Sequence, residues 1–215
     1  YGPPLALGGL VGQGNVTALR VTWLGDSTAA GVGASGPDGA LPRQVAALDH
    51  GPEQITALAV SGARISDVVG KQLPHVPADT EVVLISIGAN DVAHLSTVGA
   101  FRHHYGQLLA GLPAKASVIL LGIPDMGSPT RLAQPLRAIV GWRGRAFDGV
   151  VRAVARSRHA GYVDIAGRTG PAFRHHPGRY FFSDHYHPND AGYGLWAAAV
   201  APVLATARAE AVARR

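Results

Sequence analysis

The chain has 215 residues, a length typical of one globular domain, and 47% of them are hydrophobic. It contains no Cys, which excludes disulfide scaffolds, cysteine-ligated metal sites and cysteine nucleophiles. The formal net charge is +5, but the basic residues are scattered with little aromatic interleaving, so we expect no nucleic-acid partner.

The apolar runs are too short to predict a membrane span. The longest, residues 196–207, falls below the roughly 20 residues that a bilayer-crossing helix needs and contains Pro202. We interpret it as a packed terminal helix and predict no stable membrane insertion. The chain starts at Tyr1 rather than Met, which favours an exported or cell-envelope protein over a cytoplasmic one. The location itself and the oligomeric state are left open.

Strand and helix patterns alternate along most of the chain. Residues 1–18 are Gly- and Pro-rich and aperiodic, so we predict an N-terminal arm followed by a single catalytic domain over 19–215. Apolar, β-forming runs predict strands at 19–25, 55–60, 81–88, 117–122 and 162–165. Helical periodicity predicts helices at 41–48, 65–73, 98–112, 136–158 and 191–208. This alternation predicts an α/β protein, a three-layer α/β/α sandwich around a parallel sheet of about five strands.

In such sheets, functional groups lie in the loops at the carboxyl ends of the strands. The first of these loops carries Gly25-Asp26-Ser27. A serine that enters a helix here can present its hydroxyl at the sheet edge and its N–H to an oxyanion. The structural alternative is a serine that only caps the helix.

Two later loops carry candidate partners for an oxyanion. Gly62 follows the second strand, where a glycine lets the backbone approach a ligand, although a plain turn would also use one. Gly88-Ala89-Asn90-Asp91 follows the third strand, and the Asn90 amide can donate N–H groups. The alternative interpretation of Asn90 is an Asx-turn.

Near the C-terminus, Asp184 precedes His187 by three residues and Pro188 follows it. This spacing allows the carboxylate to hold the Nδ1–H of the ring and leaves Nε2 free to take a serine proton. Asp91 and His94 have the same spacing, but Asp91 directly follows a strand and is expected to brace its own turn.

The order Gly-Asp-Ser, Gly, Gly-x-Asn-Asp and Asp-x-x-His-Pro resembles the four-block signature of the SGNH (GDSL-type) hydrolases, across the whole chain after the arm. Bacterial esterases, thioesterases and lysophospholipases of that family are the most similar. The resemblance implies a flavodoxin-like fold and a serine acyl hydrolase without metal or cofactor. It implies Ser27 as nucleophile, His187 as general base and acid, and Asp184 as its orienting partner. It also implies an oxyanion hole made by the Ser27 N–H, the Gly62 N–H and the Asn90 amide. The family's leucine after Gly-Asp-Ser is Thr28 here, a position that varies among members.

The substrate is expected to be a small-molecule ester with a short-to-medium acyl group, bound in a shallow cleft. The loops expected to line the acyl side are 92–97, 124–134 and 173–182. Their apolar residues are Leu95, Met126, Leu132, Phe181 and Phe182. A carboxylesterase is the primary hypothesis, with thioesters and lysophospholipids also open as substrates.

Other functions remain open from the sequence. Acyl transfer and carbohydrate deacetylation would use the same triad, and a non-catalytic ligand-binding domain would share the fold. Residues 31–36 read G-x-G-x-x-G, the pattern of a dinucleotide-binding loop. Dinucleotide binding is not favoured, because the pattern lies six residues past Gly25 and Pro37 breaks the helix that should follow it. The adjacent pairs His103-His104 and His175-His176 are expected on the surface rather than at a metal.

Overall fold

The computed structural model describes residues 3–13, 17–49, 51–94 and 96–215. Six strands form one sheet: β1 (Gly9–Val11), β2 (Leu19–Gly25), β3 (Glu53–Ala57), β4 (Val82–Ser86), β5 (Ser117–Leu121) and β6 (Gly161–Val163). Their spatial order is β1-β3-β2-β4-β5-β6. Only β1 pairs antiparallel, and all other neighbours are parallel. Without β1 the order is the 2-1-3-4-5 of flavodoxin-like sheets, which confirms the predicted fold class.

The edge strand β1 lies within the segment predicted to be an arm. It pairs with Glu53–Ile55 of β3, so part of this segment belongs to the sheet. Leu7, which precedes it, is buried in the core.

Eight helices are seen in the described residues: α1 (Leu41–Leu48), α2 (Ile65–Asp67), α3 (Ala89–Ala93), α4 (Val98–Gly111), α5 (Leu136–Ser157), α6 (Ile165–His175), α7 (Pro177–Tyr180) and α8 (Asp190–Ala213). The predicted helix over 65–73 is broken into α2, a π-turn at Val68–Gln72 and a 3₁₀ turn at Leu73–His75. The helices α3, α6 and α7 were not predicted from the sequence.

The central strands are buried on both faces because helices cover the sheet on either side. Val82 and Leu84 face the layer built by α1, α6 and α8, whereas Val83 and Ile85 face the layer built by α4 and α5. The almost continuous hydrophobic run of β4 predicted a strand of this kind, which is covered on both faces.

Helix α8 is long and apolar enough to cross a membrane, judged by length and composition alone. In the fold, its buried side chains Tyr193, Trp196, Val200 and Leu204 pack in the core beside α1 and the sheet. In this structure, the apolar composition of α8 is therefore that of a helix packed against the domain core.

The carboxyl ends of β2 and β4 lie side by side at the centre of the sheet, since Gly25 pairs with Ser86. The chain after β3 continues along β2 beyond the regular strand. Leu58 N–H donates to Trp23 O and Val60 N–H to Gly25 O, at 3.0 and 3.1 Å. These bonds bring Gly62 to the edge at which Ser27 and Asn90 leave the sheet.

Candidate active site

Ser27 stands directly beyond the central strand β2 and is buried. Gly25, two residues earlier, has φ +145, and a Cβ placed there would lie 1.9 Å from Ser86 O. Only glycine permits this close crossing of β2 and β4. The Asp26 N–H then donates to Ser86 O at 3.0 Å, which fixes the turn that presents Ser27.

The prediction that Ser27 enters a helix is wrong. Residues 27–33 form successive turns, and the first α-helix begins only at Leu41. Gly31 and Gly33 have φ of +75 and +95, which interrupts helical geometry. The Ser27 N–H is therefore oriented by a turn rather than by a helix terminus.

His187 contacts both Ser27 and Asp184. Its Nε2 lies 3.0 Å from Ser27 Oγ, and its Nδ1 lies 2.6 Å from Asp184 Oδ2. The other carboxylate oxygen of Asp184 accepts the backbone N–H groups of Tyr186 and His187, at 2.9 and 3.0 Å. One tight loop therefore holds both the carboxylate and the ring, as the Asp-x-x-His spacing predicted.

The loop that carries His187 is closed at both ends. Phe182 N–H donates to His187 O at 2.8 Å, and Phe181 and Pro188 form an isolated bridge. Asn189 then caps α8 by accepting the Gly192 N–H. This geometry leaves little freedom in the position of the ring.

The second Asp-x-x-His pair does not form such an array. Asp91 accepts the Ile65 N–H and the Ser96 hydroxyl, at 2.9 and 3.1 Å, and so braces the turn after β4. His94 is exposed, and its Nδ1 contacts Asn90 O. His185 is also exposed, with φ +57, whereas His187 is buried.

Three hydrogen-bond donors are available around Ser27. Within the part of the chain that the structure describes, the N–H groups of Ser27 and Gly62 donate to no protein acceptor. Asn90 Nδ2 donates one hydrogen to Ala63 O at 3.0 Å, which orients its amide. The second amide hydrogen is left available. Ser27, Gly62, Asn90 and His187 line the same cleft.

Two cavities meet at Ser27 and His187. The open cleft has a volume of about 390 Å³ and contains the three donors and the apolar Met126, Leu132 and Val140. The second is a narrow cavity of about 40 Å³ that also borders Ser27 and has room for only a few water molecules. Its walls include Phe173, Phe181 and Trp196.

All three loops predicted to line the acyl side contribute to these cavities. Ala93, Met126 and Phe181 represent one loop each. Phe182 lines neither of the two and is 39% exposed. Leu95 lies outside the described residues.

Asp26 is a buried carboxyl directly beside Ser27. Burial raises the pKa of Asp26 to about 6, although hydrogen bonds from the Thr28 N–H and hydroxyl oppose this shift. The Thr28 hydroxyl also contacts the Ser86 hydroxyl at 2.7 Å. This network ties the Ser27 turn to the end of β4.

Sequence reasoning missed two residues that position the site. The buried Gln72 forms a double hydrogen bond with Gly25: its Nε2 donates to Gly25 O and its Oε1 accepts the Gly25 N–H, at 2.8 and 2.9 Å. Gly33 lies against the histidine loop, because a Cβ there would lie 2.3 Å from Pro188 O. Its place in the helix predicted over 65–73 was the only sequence signal for Gln72.

An α/β/α sandwich with a Ser–His–Asp array at the carboxyl edge of its sheet is an arrangement used by serine hydrolases. Residues 23–195 match the GDSL-like lipase/acylhydrolase family, and the chain belongs to this family of ester-hydrolysing enzymes. The resemblance inferred from the four sequence blocks is thereby confirmed.

Individual relatives agree with this assignment. A GDSL-like esterase from Mycobacterium tuberculosis is 29% identical over 178 residues, which cover 80% of this chain and 57% of that protein. The chain thus spans little more than half the length of this relative. Phospholipase A1 from Streptomyces albidoflavus has a TM-score of 0.70 at 24% identity, over 88% of this chain and 99% of that one. A lipase/acylhydrolase from Enterococcus faecalis has a TM-score of 0.72 at 19% identity, over 87% and 96%. These two structures share the fold.

Proposed function

We propose that this chain hydrolyses carboxylic esters with short-to-medium acyl groups through an acyl-enzyme on Ser27. The observation that carries the proposal is the continuous array from Ser27 Oγ through His187 to the Asp184 carboxylate, with contacts of 3.0 and 2.6 Å. A serine hydroxyl is a weak nucleophile at its ordinary pKa and needs a base within hydrogen-bond reach. His187 meets that requirement in the geometry of the free protein.

In the first half of the reaction, Ser27 Oγ attacks the ester carbonyl carbon while His187 Nε2 accepts its proton. The imidazolium that forms is stabilised by the Asp184 carboxylate at Nδ1. The proton then passes from Nε2 to the oxygen of the leaving alcohol as the C–O bond breaks. The acyl group remains as an ester of Ser27.

In the second half, a water molecule gives its proton to His187 Nε2 and attacks the acyl carbon. The bond to Ser27 Oγ breaks, the serine regains its proton, and the carboxylic acid is released. The open cleft beside Ser27 gives water a route to the acyl-enzyme, which favours hydrolysis over transfer to another alcohol.

The developing oxyanion would be bound by the N–H groups of Ser27 and Gly62 and by the Asn90 amide. Each such donor typically contributes 10² to 10³ in rate. The Ala63 carbonyl holds the Asn90 amide in place, so this donor is oriented before substrate arrives. Preorganisation of this kind is what makes these donors effective.

The cavities support a preference for short-to-medium acyl groups. The open cleft lies in the size range of small-ligand pockets, whereas the narrow cavity that borders Ser27 has little free space. An acyl chain would lie along Met126, Leu132 and Val140. Carboxylic esters are the primary substrates proposed, and thioesters, lysophospholipids and acetylated sugars would present the same carbonyl to the same groups.

The proposal is tested with a serine-directed phosphonate and an ester panel. The wild type should gain one phosphonyl adduct by intact mass and hydrolyse aryl esters from acetyl to dodecanoyl, with an optimum below the longest chains. Ser27→Ala should lose both properties and keep its thermal midpoint. Ser61→Ala is the matched control, because Ser61 lines the same cleft without contacting His187.

Two results would overturn the proposal. Esterase activity of Ser27→Ala within about tenfold of wild type would exclude Ser27 as nucleophile, because loss of the nucleophile in a triad costs far more. Product esters outweighing free acid when an alcohol is added at low concentration would make the protein an acyltransferase.

A further inference from the structure

The outer face of the first half of α5 is unusually apolar for a surface helix. Leu136, Ile139 and Trp142 are 51%, 51% and 65% exposed. The other exposed positions up to residue 149 are Ala138, Arg145, Ala146 and Gly149. A solvated helix normally presents polar and charged residues on this side. We name Leu136, Ile139 and Trp142 the α5 patch.

The apolar side chains of the α5 patch are not needed to hold the helix on the domain. The opposite side of α5 packs into the core through Val140, Phe147 and Val151. Two arginines tie its first turns to neighbouring loops: Arg137 Nε donates to Gly127 O at 2.8 Å, and Arg143 donates to Ser96 O at 2.9 Å. The patch is therefore displayed on a firmly held helix.

The α5 patch is continuous with the open cleft. Leu136 and Val140, one helical turn apart, both line the cleft that contains Ser27. Ile139 and Trp142 extend this apolar surface outward along the helix, at spacings that place neighbours three residues apart in contact. Any partner bound to the patch would therefore cover the entrance of the cleft.

The charged residues nearest to the patch in sequence are all basic. From Met126 to Phe147 the sequence contains four Arg and neither Asp nor Glu. Arg137 and Arg143 donate to backbone carbonyls, whereas the exposed Arg131 and Arg145 form no ion pair with the described residues. Aliphatic and Trp side chains bordered by unpaired arginines are typical of protein surfaces that bind a lipid interface.

We propose that the α5 patch docks this protein on an anionic lipid surface and places the cleft against it. This extends the proposed ester hydrolysis, on which it rests, to substrates held in a bilayer or micelle. A second copy of the chain fits the patch less well, because a two-fold interface would set Arg131 and Arg145 against the same arginines. Lipid headgroup charge complements them instead.

The experiment uses the intrinsic fluorescence of the protein, because its three Trp differ sharply in exposure. Trp23 and Trp196 are 0% and 3% exposed, so a spectral change on lipid binding would report on Trp142. Vesicles of ether-linked phosphatidylglycerol and phosphatidylcholine contain no ester to hydrolyse. We expect a blue shift with these vesicles, a weaker one as salt is added, and none with phosphatidylcholine alone.

Variants assign the binding to the patch. Ile139→Ser with Trp142→Ser should weaken vesicle partitioning, measured by sedimentation, by roughly tenfold or more. The control pair Leu10→Ser with Val212→Ser removes two side chains of similar exposure, 63% and 54%, from other elements and should leave partitioning unchanged. Arg145→Gln should reduce binding to the vesicles that contain phosphatidylglycerol.

Failure of docking and failure of ester hydrolysis are separable. Hydrolysis of a soluble aryl acetate should be equal in the wild type and the Ile139/Trp142 double variant, since neither residue lines the cleft. Partitioning of the double variant equal to wild type would overturn the docking proposal and leave hydrolysis standing. The docking proposal would also be overturned if sedimentation velocity showed a dimer of the wild type and a monomer of the double variant, and neither protein bound vesicles. Loss of the aryl acetate activity in wild type would refute the hydrolase instead.

Discussion

Replacing Gly62 by Ala isolates the contribution of one backbone N–H to the proposed oxyanion hole. Gly62 has φ +84, and a Cβ added there would have no atom within 4 Å. The substitution therefore creates no clash, and its only direct effect is on backbone conformation. In this region of φ, a residue with a side chain is less favourable than glycine by about 1–2 kcal/mol.

The loop can respond to this strain in two ways. If the peptide keeps its conformation, the free energy of unfolding falls by about 1–2 kcal/mol and kcat is unchanged. If the peptide rotates, the strain is released but the N–H turns away from Ser27. Ser61 and Gly62 are exposed and lie beyond the last hydrogen bond to β2, so we expect rotation. The loss of one donor then lowers kcat by roughly 10².

The assay combines ester kinetics with thermal unfolding. We expect Gly62→Ala to show the fall in kcat with a change in KM of less than about threefold, as for a group that acts only in the transition state. Gly106→Ala is the matched control, because Gly106 also has no atom within 4 Å of an added Cβ but lies in α4 without a positive φ. It should retain full activity and gain up to about 1 kcal/mol of stability.

Two outcomes would refute the reasoning about Gly62. A variant with wild-type kcat would show that the Gly62 N–H does not stabilise the transition state. A rise in KM with kcat unchanged would make the residue part of the substrate-binding surface instead.

Three further predictions address the rest of the molecule. His187→Ala should lose nearly all esterase activity, whereas His185→Ala and His94→Ala should retain most of it. An active His187→Ala together with an inactive His185→Ala or His94→Ala would disprove the triad. Asn90→Ala should lower kcat by roughly 10² or more at nearly constant KM, and a pure KM effect would argue against an oxyanion role. Glu53 is buried and its pKa is raised to about 8, chiefly by burial and then by Asp49. The folded protein therefore keeps a proton that the unfolded chain releases, so stability should fall from about pH 4.5 to 8. Urea unfolding of Glu53→Gln should lack much of this fall, and an identical pH dependence would refute the assignment.

The five parallel strands of the sheet could be predicted because their signal is local. The strand β4 is buried at every position and apolar from Val82 to Ile85, since both faces are covered, and such runs stand out in composition. Helix α1 was predicted with its observed bounds, because its apolar residues recur at helical spacing. Ends were less accurate: the 55–60 prediction for β3 corresponds to Glu53–Ala57.

Helix α6 shows why other elements could not be predicted. It contains Gly170 and Pro171, which argue against a helix in isolation. Its formation depends on the Asp164 cap, which accepts the Gly167 N–H at 2.8 Å, and on Phe173, which packs in the core with Trp196 of α8. The contact between Phe173 and Trp196 joins parts of the chain that sequence periodicity does not relate.

The contacts of the site also differ in whether they are local or long-range in sequence. The contact between Asp184 and His187 spans three residues and was readable from spacing, whereas the contact between Ser27 and His187 spans 160 and depends on the assembled sheet. At Ser27 the local inference that failed is the helix predicted to follow it. Because successive turns replace that helix, the Ser27 N–H does not belong to an aligned helix terminus. In the proposed mechanism the oxyanion would be bound by separate donors on separate loops, and this is the physical reason to expect separate effects from Gly62 and Asn90.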